Sequence, residues 1–160
     1  MKKTLLYFSA LLLAVLVTTG CNKNEDSENY LKYAGKTHAI KEAGQIFYGH
    51  YFSTKANNLS LVFLTAEHAV IIEMFVPNSS NKLVAGTYEA DDSFEAFTMS
   101  EGSILKISDK STIYEIIDGR ITIRLEGNVY TIDMEGTLHN NTSITGKYTG
   151  QIIWEDGDDD

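Results

Sequence analysis

Histidine offers wide chemistry in a protein, both as a metal ligand and as a proton carrier. The chain contains four histidines, at His38, His50, His68 and His139. A zinc site built from near neighbours needs a pair about three or four residues apart on a helix, or about two apart on a strand. No pair has that spacing. A packed or surface imidazole is the simpler role for each histidine, so the spacing predicts no metal site.

Serine and acidic residues carry no local signature of catalysis. The nucleophile motif Gly-x-Ser-x-Gly does not occur in the sequence. Asp91-Asp92 and the acidic tail at residues 155–160 offer oxygen ligands for calcium, but neither has the spaced acids and closing glutamate of a calcium loop. A pair of carboxylates brought together by the fold, as in glycoside hydrolases, stays open as a third hypothesis. We therefore predict no enzyme, no catalytic residue and no cofactor.

Aromatic residues are the remaining indication of binding. Phe47, Tyr48, Tyr51 and Phe52 occupy both faces of one predicted strand, so at least two of these rings point away from the core or into an interior cavity. An exposed aromatic surface suits stacking on sugar rings or on an apolar ligand. The alternative is that other parts of the protein cover both faces. The candidate ligand-binding residues are Tyr48, His50, Tyr51, Tyr130, Tyr148 and Trp154.

Strands are predicted to position these side chains, because apolar and polar residues alternate with a period of two over most of the chain. Ile121, Ile123 and Leu125 alternate with polar residues, and the alternation resumes after Gly127-Asn128. This pattern predicts two half-buried strands joined by a tight turn. Residues 69–76 are apolar on both faces, which predicts a central strand. Further strands are predicted at residues 45–54, 59–65, 83–90, 103–108, 112–117 and 143–154.

Turn residues separate these strands. Asp118-Gly119 predicts a hairpin turn, and Asn140-Asn141 predicts the turn before the last strand. Residues 91–102 are polar and have no strand alternation. About nine or ten short strands without an amphipathic helix predict one all-β domain at residues 32–154, either an antiparallel barrel or a two-sheet sandwich. We favour the barrel, because sequential hairpins with short turns close most simply in that way.

Four glycines interrupt the predicted strands, at Gly86, Gly136, Gly146 and Gly150. Glycine inside a strand commonly marks a bulge or a sharp bend. The alternative is that these positions make room for tyrosine or tryptophan on a neighbouring strand. Both interpretations are structural and assign no chemistry.

The N-terminal residues have the pattern of an exported protein. Lys2 and Lys3 precede an apolar run at residues 5–17, which is shorter than the roughly 20 residues that a membrane-spanning helix needs. Small residues then lead to Cys21, and polar residues follow. We predict a cleaved signal at residues 1–20. Cys21 is the single cysteine, which excludes an internal disulfide and a thiolate metal cluster.

The segment Thr18-Thr19-Gly20-Cys21 resembles the cleavage site of bacterial lipoproteins. The resemblance implies cleavage between Gly20 and Cys21, with two acyl chains on the thiol and an acylated amine, which together anchor a protein stably. The acidic, lysine-containing residues 23–28 resemble the export tag of surface lipoproteins in some gut Gram-negative bacteria. That resemblance implies the outer membrane, with the surface favoured over the periplasm. Residues 21–31, with the lipidated cysteine, are predicted to form a flexible acidic tether. The alternative to an export tag is that residues 23–28 have only the polar, acidic composition of any such tether.

The mature chain is strongly acidic. Loss of Lys2 and Lys3 with the signal changes the formal net charge from −9 to −11. Such a charge repels phosphate backbones and anionic membranes, so nucleic acid is excluded as a partner. Part of the charge belongs to the tail at residues 155–160, which is predicted to be a solvated end.

Residues 119–150 contain three short motifs, Gly-x-Ile-x-Ile, Tyr-x-Ile and Ile-x-Gly-x-Tyr-x-Gly. They resemble the C-terminal hairpins of small β-rich lipoproteins from gut bacteria, some of which look lipocalin-like. The resemblance implies a lipocalin-like barrel and carries no activity. The first functional hypothesis is a binding or accessory module for a glycan, a peptide or an envelope protein. The alternative is a carrier of a small apolar ligand, and a hydrolase is third.

Overall fold

The computed structural model describes residues 28–51, 53–101, 103–107 and 112–156. These residues form an all-β, barrel-like fold, as predicted, with twelve strands where the sequence predicted nine or ten. The strands are β1 (Tyr30–Tyr33), β2 (Lys36–Ala39), β3 (Glu42–Gly49), β4 (Asn57–Leu64), β5 (His68–Val76), β6 (Gly86–Ala90), β7 (Thr98–Met99), β8 (Ile104–Ile107), β9 (Thr112–Glu126), β10 (Val129–Leu138), β11 (Ser143–Gly150) and β12 (Ile153–Asp156).

All twelve strands belong to one sheet, in the order β12-β3-β4-β5-β7-β6-β9-β10-β11-β1-β2, with β8 between β5 and β9. The β12–β3 and β6–β7 pairs are parallel. The remaining pairs in the described part of the chain are antiparallel, as a meander of hairpins predicts. The strand at β5 is central as predicted, because it pairs with β4 on one edge and with β7 and β8 on the other.

The two ends of this sheet meet at Ile40 and Lys41, the residues that join β2 to β3. The Ile40 N–H donates to the carbonyl of Asn29, before β1, at 3.0 Å. The Lys41 N–H donates to the carbonyl of Leu64, on β4, at 2.7 Å. One continuous stretch of chain therefore pairs first with β1 and then with β4. The curled sheet agrees with the barrel prediction and not with a two-sheet sandwich.

The core lies on the concave face of the sheet. Alternate residues of every long strand point into it, so the period-two pattern in the sequence becomes one contiguous apolar cluster. Its fully buried members include Leu31, Leu59, Leu61, Val70, Ile72, Met74, Tyr88, Ile121, Ile132 and Ile144.

The predicted hairpin turn at Asp118-Gly119 is wrong, because both residues lie inside the long strand β9. A hairpin requires the residues on either side of the turn to pair with each other. Here the residues before Asp118 pair with β8, and those after Gly119 pair with β6. β9 is thus a single strand that pairs with β8 along its first part and with β6 along its second part. The predicted turns at Gly127-Asn128 and Asn140-Asn141 are confirmed.

Other boundaries differ from the sequence prediction. β1 and β2 were not predicted; Tyr30 and Leu31 fall within the predicted tether, yet they begin β1 and Leu31 is fully buried. β3 spans Glu42–Gly49 instead of residues 45–54, because Gly49 adopts a φ of 65° and the strand ends there. The last predicted strand is two strands, β11 and β12, and β12 includes the first two residues of the predicted tail.

The interrupting glycines chiefly make room for side chains. A Cβ at Gly150 would lie 2.7 Å from the Tyr148 hydroxyl, and one at Gly86 would lie 2.7 Å from the Phe97 ring. A Cβ at Gly146 would lie 3.0 Å from the end of the Met134 side chain. Gly136 is close to a register shift after Thr137, which fits the bulge interpretation there.

Residues 91–102, which gave no strand pattern, include the two-residue strand β7 that joins β5 to β6. Within the described ranges, no helix has the length and apolar character needed to cross a membrane. The predicted signal, the lipidation residue Cys21 and residues 157–160 of the tail lie outside the described residues.

Candidate functional site

Two tyrosines form an exposed aromatic pair where β3 ends. The alternation of β3 places Tyr48 on the outer face, and the positive φ of Gly49 turns the chain so that Tyr51 comes back beside it. The ring centroids are 6.5 Å apart. Tyr48 is 38% exposed and Tyr51 is 72% exposed. Tyr48 on β3 and Tyr51 in the bend after it therefore both expose their rings, and Phe52 lies outside the described residues.

Polar side chains from β4 and β5 flank this pair. Ser60 lies opposite Ile46 of β3, and Glu73 lies opposite Ser60. Burial raises the pKa of Tyr48, the hydrogen bond with Ser60 lowers it, and the nearby Glu73 carboxylate raises it further. Burial also raises the pKa of Glu73. We call Tyr48, Tyr51, Ser60 and Glu73 the tyrosine surface.

Asn58 adds a hydrogen-bonding group on the same outer face of β4 as Ser60, two residues away. It is 1% exposed, and its side-chain nitrogen has no hydrogen-bond partner among the described residues. Buried polar atoms in folded proteins are nearly always hydrogen-bonded. The Asn58 amide is therefore an unpaired polar group beneath the tyrosine surface in the described part of the chain.

Tyr130 and Tyr148 lie elsewhere, on the inner side of the sheet. The Tyr148 hydroxyl donates to the carbonyl of Gln151 at 2.5 Å, and the Tyr130 hydroxyl donates to the carbonyl of Leu83 at 3.4 Å. Burial raises the pKa of both residues. Their hydroxyls thus bond to backbone carbonyls within the fold.

One apolar gap between core residues is too small to hold a ligand. This gap lies between β5, β7, β9, β10 and β11. The volume in it that a molecule the size of water could occupy is about 0 Å³. The gap is lined by side chains such as Ile72, Met99 and Ile121. A small apolar ligand would therefore need the packed core to open at this gap.

His50 and Trp154 complete the predicted candidates. His50 is exposed in the bend after β3. Trp154 is 39% exposed on β12, with the Lys82 Nζ 5.6 Å from its ring centroid. Its indole N–H donates to the carbonyl of Asn81 at 3.4 Å. The structure thus brings Tyr48 and Tyr51 together and places Tyr130, Tyr148 and Trp154 in other surroundings.

A shallow groove of about 360 Å³ crosses β6, β9, β10 and β11. Arg120 lies in it, with its Nε 3.1 Å from Glu89 and 3.8 Å from Glu135. All three side chains are more than half exposed, so these ion pairs add little stability. The carboxylates of Glu89 and Glu135 thus share one guanidinium partner in this groove.

A third cluster joins His38, Glu67 and His68, and the sequence did not predict it. His38 lies on β2, while Glu67 and His68 lie where the β4–β5 turn enters β5. The candidate ligand atoms of the three side chains all lie within 4.8 Å of one another. The His38 Nδ1 is 3.7 Å from the Glu67 Oε2, and the two imidazole centroids are 4.2 Å apart. We call these residues the histidine cluster.

An aromatic row continues from the histidine cluster. Tyr33 meets His68 edge-on at 5.8 Å, Tyr114 lies 5.7 Å from Tyr33, and His139 stacks on Tyr114 at 5.6 Å. Burial, with a smaller effect of the Tyr114 contact, raises the pKa of Tyr33 to about 12. The His139 Nδ1 accepts a hydrogen bond from the Glu115 N–H at 3.1 Å, so its other ring nitrogen carries the proton when the imidazole is neutral.

Comparison of the chain with protein-family models, with curated proteins and with solved structures gave no match.

Proposed function

We propose that the protein is an outer-membrane lipoprotein, anchored through Cys21 and facing the cell surface, that acts as a non-catalytic binding module. The basic, apolar and small-residue segments before Cys21 support the anchor. We further propose a glycan as the ligand of the tyrosine surface. The observation that carries this proposal is the exposed Tyr48–Tyr51 pair beside Ser60 and Glu73.

A sugar ring has apolar C–H faces and a rim of hydroxyl groups, and the tyrosine surface offers a partner for each. The two aromatic rings provide apolar area with little conformational freedom to lose. The half-buried Glu73 carboxyl beside them provides a hydrogen-bonding group at a fixed position on β5. Because the chain is strongly acidic, neutral sugars are the expected ligands and uronic acids are disfavoured.

The carrier and hydrolase hypotheses receive less support. A carrier needs an interior cavity, whereas the void found beside Ile72 and Met99 has a volume of about 0 Å³. A glycoside hydrolase needs one carboxylic acid and one carboxylate flanking a cleft. Glu89 and Glu135 of the Arg120 groove are instead paired with that arginine.

The test is binding of the purified lipoprotein, in detergent, to an array of neutral, N-acetylated and uronic oligosaccharides. We expect binding to a neutral class, with the affinity lowered about tenfold by Tyr51→Ala because a stacking ring is lost. Glu73→Gln keeps the shape of the site and tests the polar contact. Leu125→Ala is the matched control, since it removes a side chain that is 41% exposed on another strand.

Two results would contradict the glycan proposal. One is that no sugar on the array is bound. The other is that Tyr51→Ala binds as tightly as the unchanged protein, which would place the ligand away from the tyrosine surface.

A further inference from the structure

The histidine cluster gathers three metal-binding side chains from two parts of the chain. His68 is 6% exposed, and the side chain of His38 is 12% exposed. Glu67 is 66% exposed, so its carboxylate lies at the surface while the two imidazoles are largely buried. The two histidines of the cluster are thus buried within the fold, and its acidic residue lies at the surface.

The spacing suits a small metal ion. With zinc about 2.1 Å from each ligand, tetrahedral geometry puts the ligand atoms about 3.4 Å apart. The His38 Nδ1 and the Glu67 Oε2 are already 3.7 Å apart, and the ligand atoms of the cluster lie within 4.8 Å of one another. Rotation of the exposed Glu67 side chain and small movements of the two imidazoles would bring the ligand atoms to the spacing that zinc requires.

Groups outside the cluster hold His68 in place. The His68 N–H donates to the Thr65 Oγ1 at 2.8 Å, and the same hydroxyl is 3.5 Å from the His68 Nδ1. The edge of the Tyr33 ring packs against the imidazole. Such contacts orient a metal-binding histidine before the metal arrives, and they commonly strengthen binding.

We propose that His38, Glu67 and His68 form a zinc site. Two imidazoles and one carboxylate are the donor set of many zinc centres, whereas calcium and magnesium prefer oxygen ligands alone. Three protein ligands leave a fourth position for water or for a group from a partner. The bound ion links β2 to the β4–β5 turn, and the site does not depend on the tyrosine surface or on the lipid anchor.

The test is titration of chelator-stripped full chain with Zn²⁺ in the Cys21→Ser background, which removes the single thiol. We expect one Zn²⁺ per chain, affinity about tenfold or more weaker in His38→Ala and in Glu67→Gln, and no competition from Ca²⁺. Saturating Zn²⁺ should also raise Tm by several degrees in the parent chain and not in His38→Ala, because a ligand of the folded state stabilises it.

Matched variants separate this site from general cation binding. His50→Ala removes an exposed histidine outside the cluster, and replacing Asp158, Asp159 and Asp160 with asparagine removes charge from the acidic tail. Neither should change the affinity more than about twofold. The proposal is overturned if no stoichiometric Zn²⁺ binds, or if Glu67→Gln and His38→Ala bind as tightly as the parent chain. Glu67 is exposed, so its variant tests the site even where a variant of buried His68 fails to fold.

Discussion

Buried tyrosines in this protein keep their hydroxyl groups satisfied inside the fold. Tyr88 is 0% exposed, and its hydroxyl donates to the carbonyl of Val84 at 3.0 Å. Burial raises its pKa to about 12, because an ionised phenolate in the core would lose its hydration. The pKa of Tyr33 is raised to about 12 chiefly for the same reason. Because of these residues, the stability of the fold depends on pH in the alkaline range.

The free energy of unfolding should fall between pH 10 and pH 12. Between the ordinary pKa of 10.0 and the raised value of about 12, tyrosine has lost its proton in the unfolded chain and keeps it in the fold. The folded state then binds more protons, so stability decreases as the pH rises. Tyr88→Phe should make this decrease smaller by about 2 kcal/mol. Urea unfolding at several pH values in this range measures it.

Tyr51→Phe is the control for that experiment, because the Tyr51 ring is 72% exposed and its surroundings change little on unfolding. Its unfolding curves should keep the slope of the unchanged protein against pH. If Tyr88→Phe also kept that slope, burial of Tyr88 would not be the origin of the alkaline instability.

Site residues were predictable from the sequence only where local periodicity determines which face of a strand they occupy. Alternation on one strand predicted that at least two of the four rings at positions 47, 48, 51 and 52 point away from the core or into a cavity, without saying which. The structure places Tyr48 on the outer face of β3. His38 and His68 are thirty positions apart in the sequence, and no local spacing relates them. They meet because β2 and β3 bring the two ends of the sheet together. Such a pair depends on how the sheet curls, so no short sequence motif predicts it.

At the level of elements, β9 is held against β10 by a close approach of two backbones. Gly119 lies opposite Gly136 in the register of these strands. A Cβ at Gly119 would lie 2.5 Å from the carbonyl oxygen of Glu135 and 2.8 Å from the Cα of Gly136. The Asp118-Gly119 pair, which resembles a turn in sequence, therefore lies within a long strand. Glycine is needed there because the two backbones come into close contact. Sequence alone does not distinguish a turn from such a contact, because both need a residue without a side chain.

Gly119→Ala should lower the free energy of unfolding by about 2 kcal/mol or more, because backbone atoms must move apart to admit the methyl group. Urea unfolding measures the loss. Gly44→Ala is the matched control on β3, where the new Cβ would lie 3.5 Å from the carbonyl of Ile153, an ordinary contact. Its effect should stay within about 1 kcal/mol. Equal effects of the two substitutions would rule out the close approach as the cause.

For the whole molecule, the fold class was predictable because alternation along each strand decides which side chains meet in a curled sheet. The pairing partners of the strands were not predictable, since the pairing of β12 with β3 and of β1 with β11 depends on contacts distant in sequence. The short strand β2, with the sequence Lys-Thr-His-Ala, shows no apolar alternation and owes its position to β1. Glu67 of the histidine cluster and the two rings of the tyrosine surface are exposed, so both proposed sites reach the surface of the molecule.

The proposed anchor leads to the last prediction, since a domain proposed to face the exterior would stay with the cell only if it is attached. Cys21→Ser should move the protein from the membrane fraction to the soluble fraction, because serine cannot form the thioether that carries two acyl chains. Signal residues 1–20 are unchanged in this variant, so export to the envelope remains possible. Fractionation without detergent and incorporation of labelled palmitate measure the effect. Membrane association that persists in Cys21→Ser, or absence of label in the unchanged protein, would refute lipidation at Cys21.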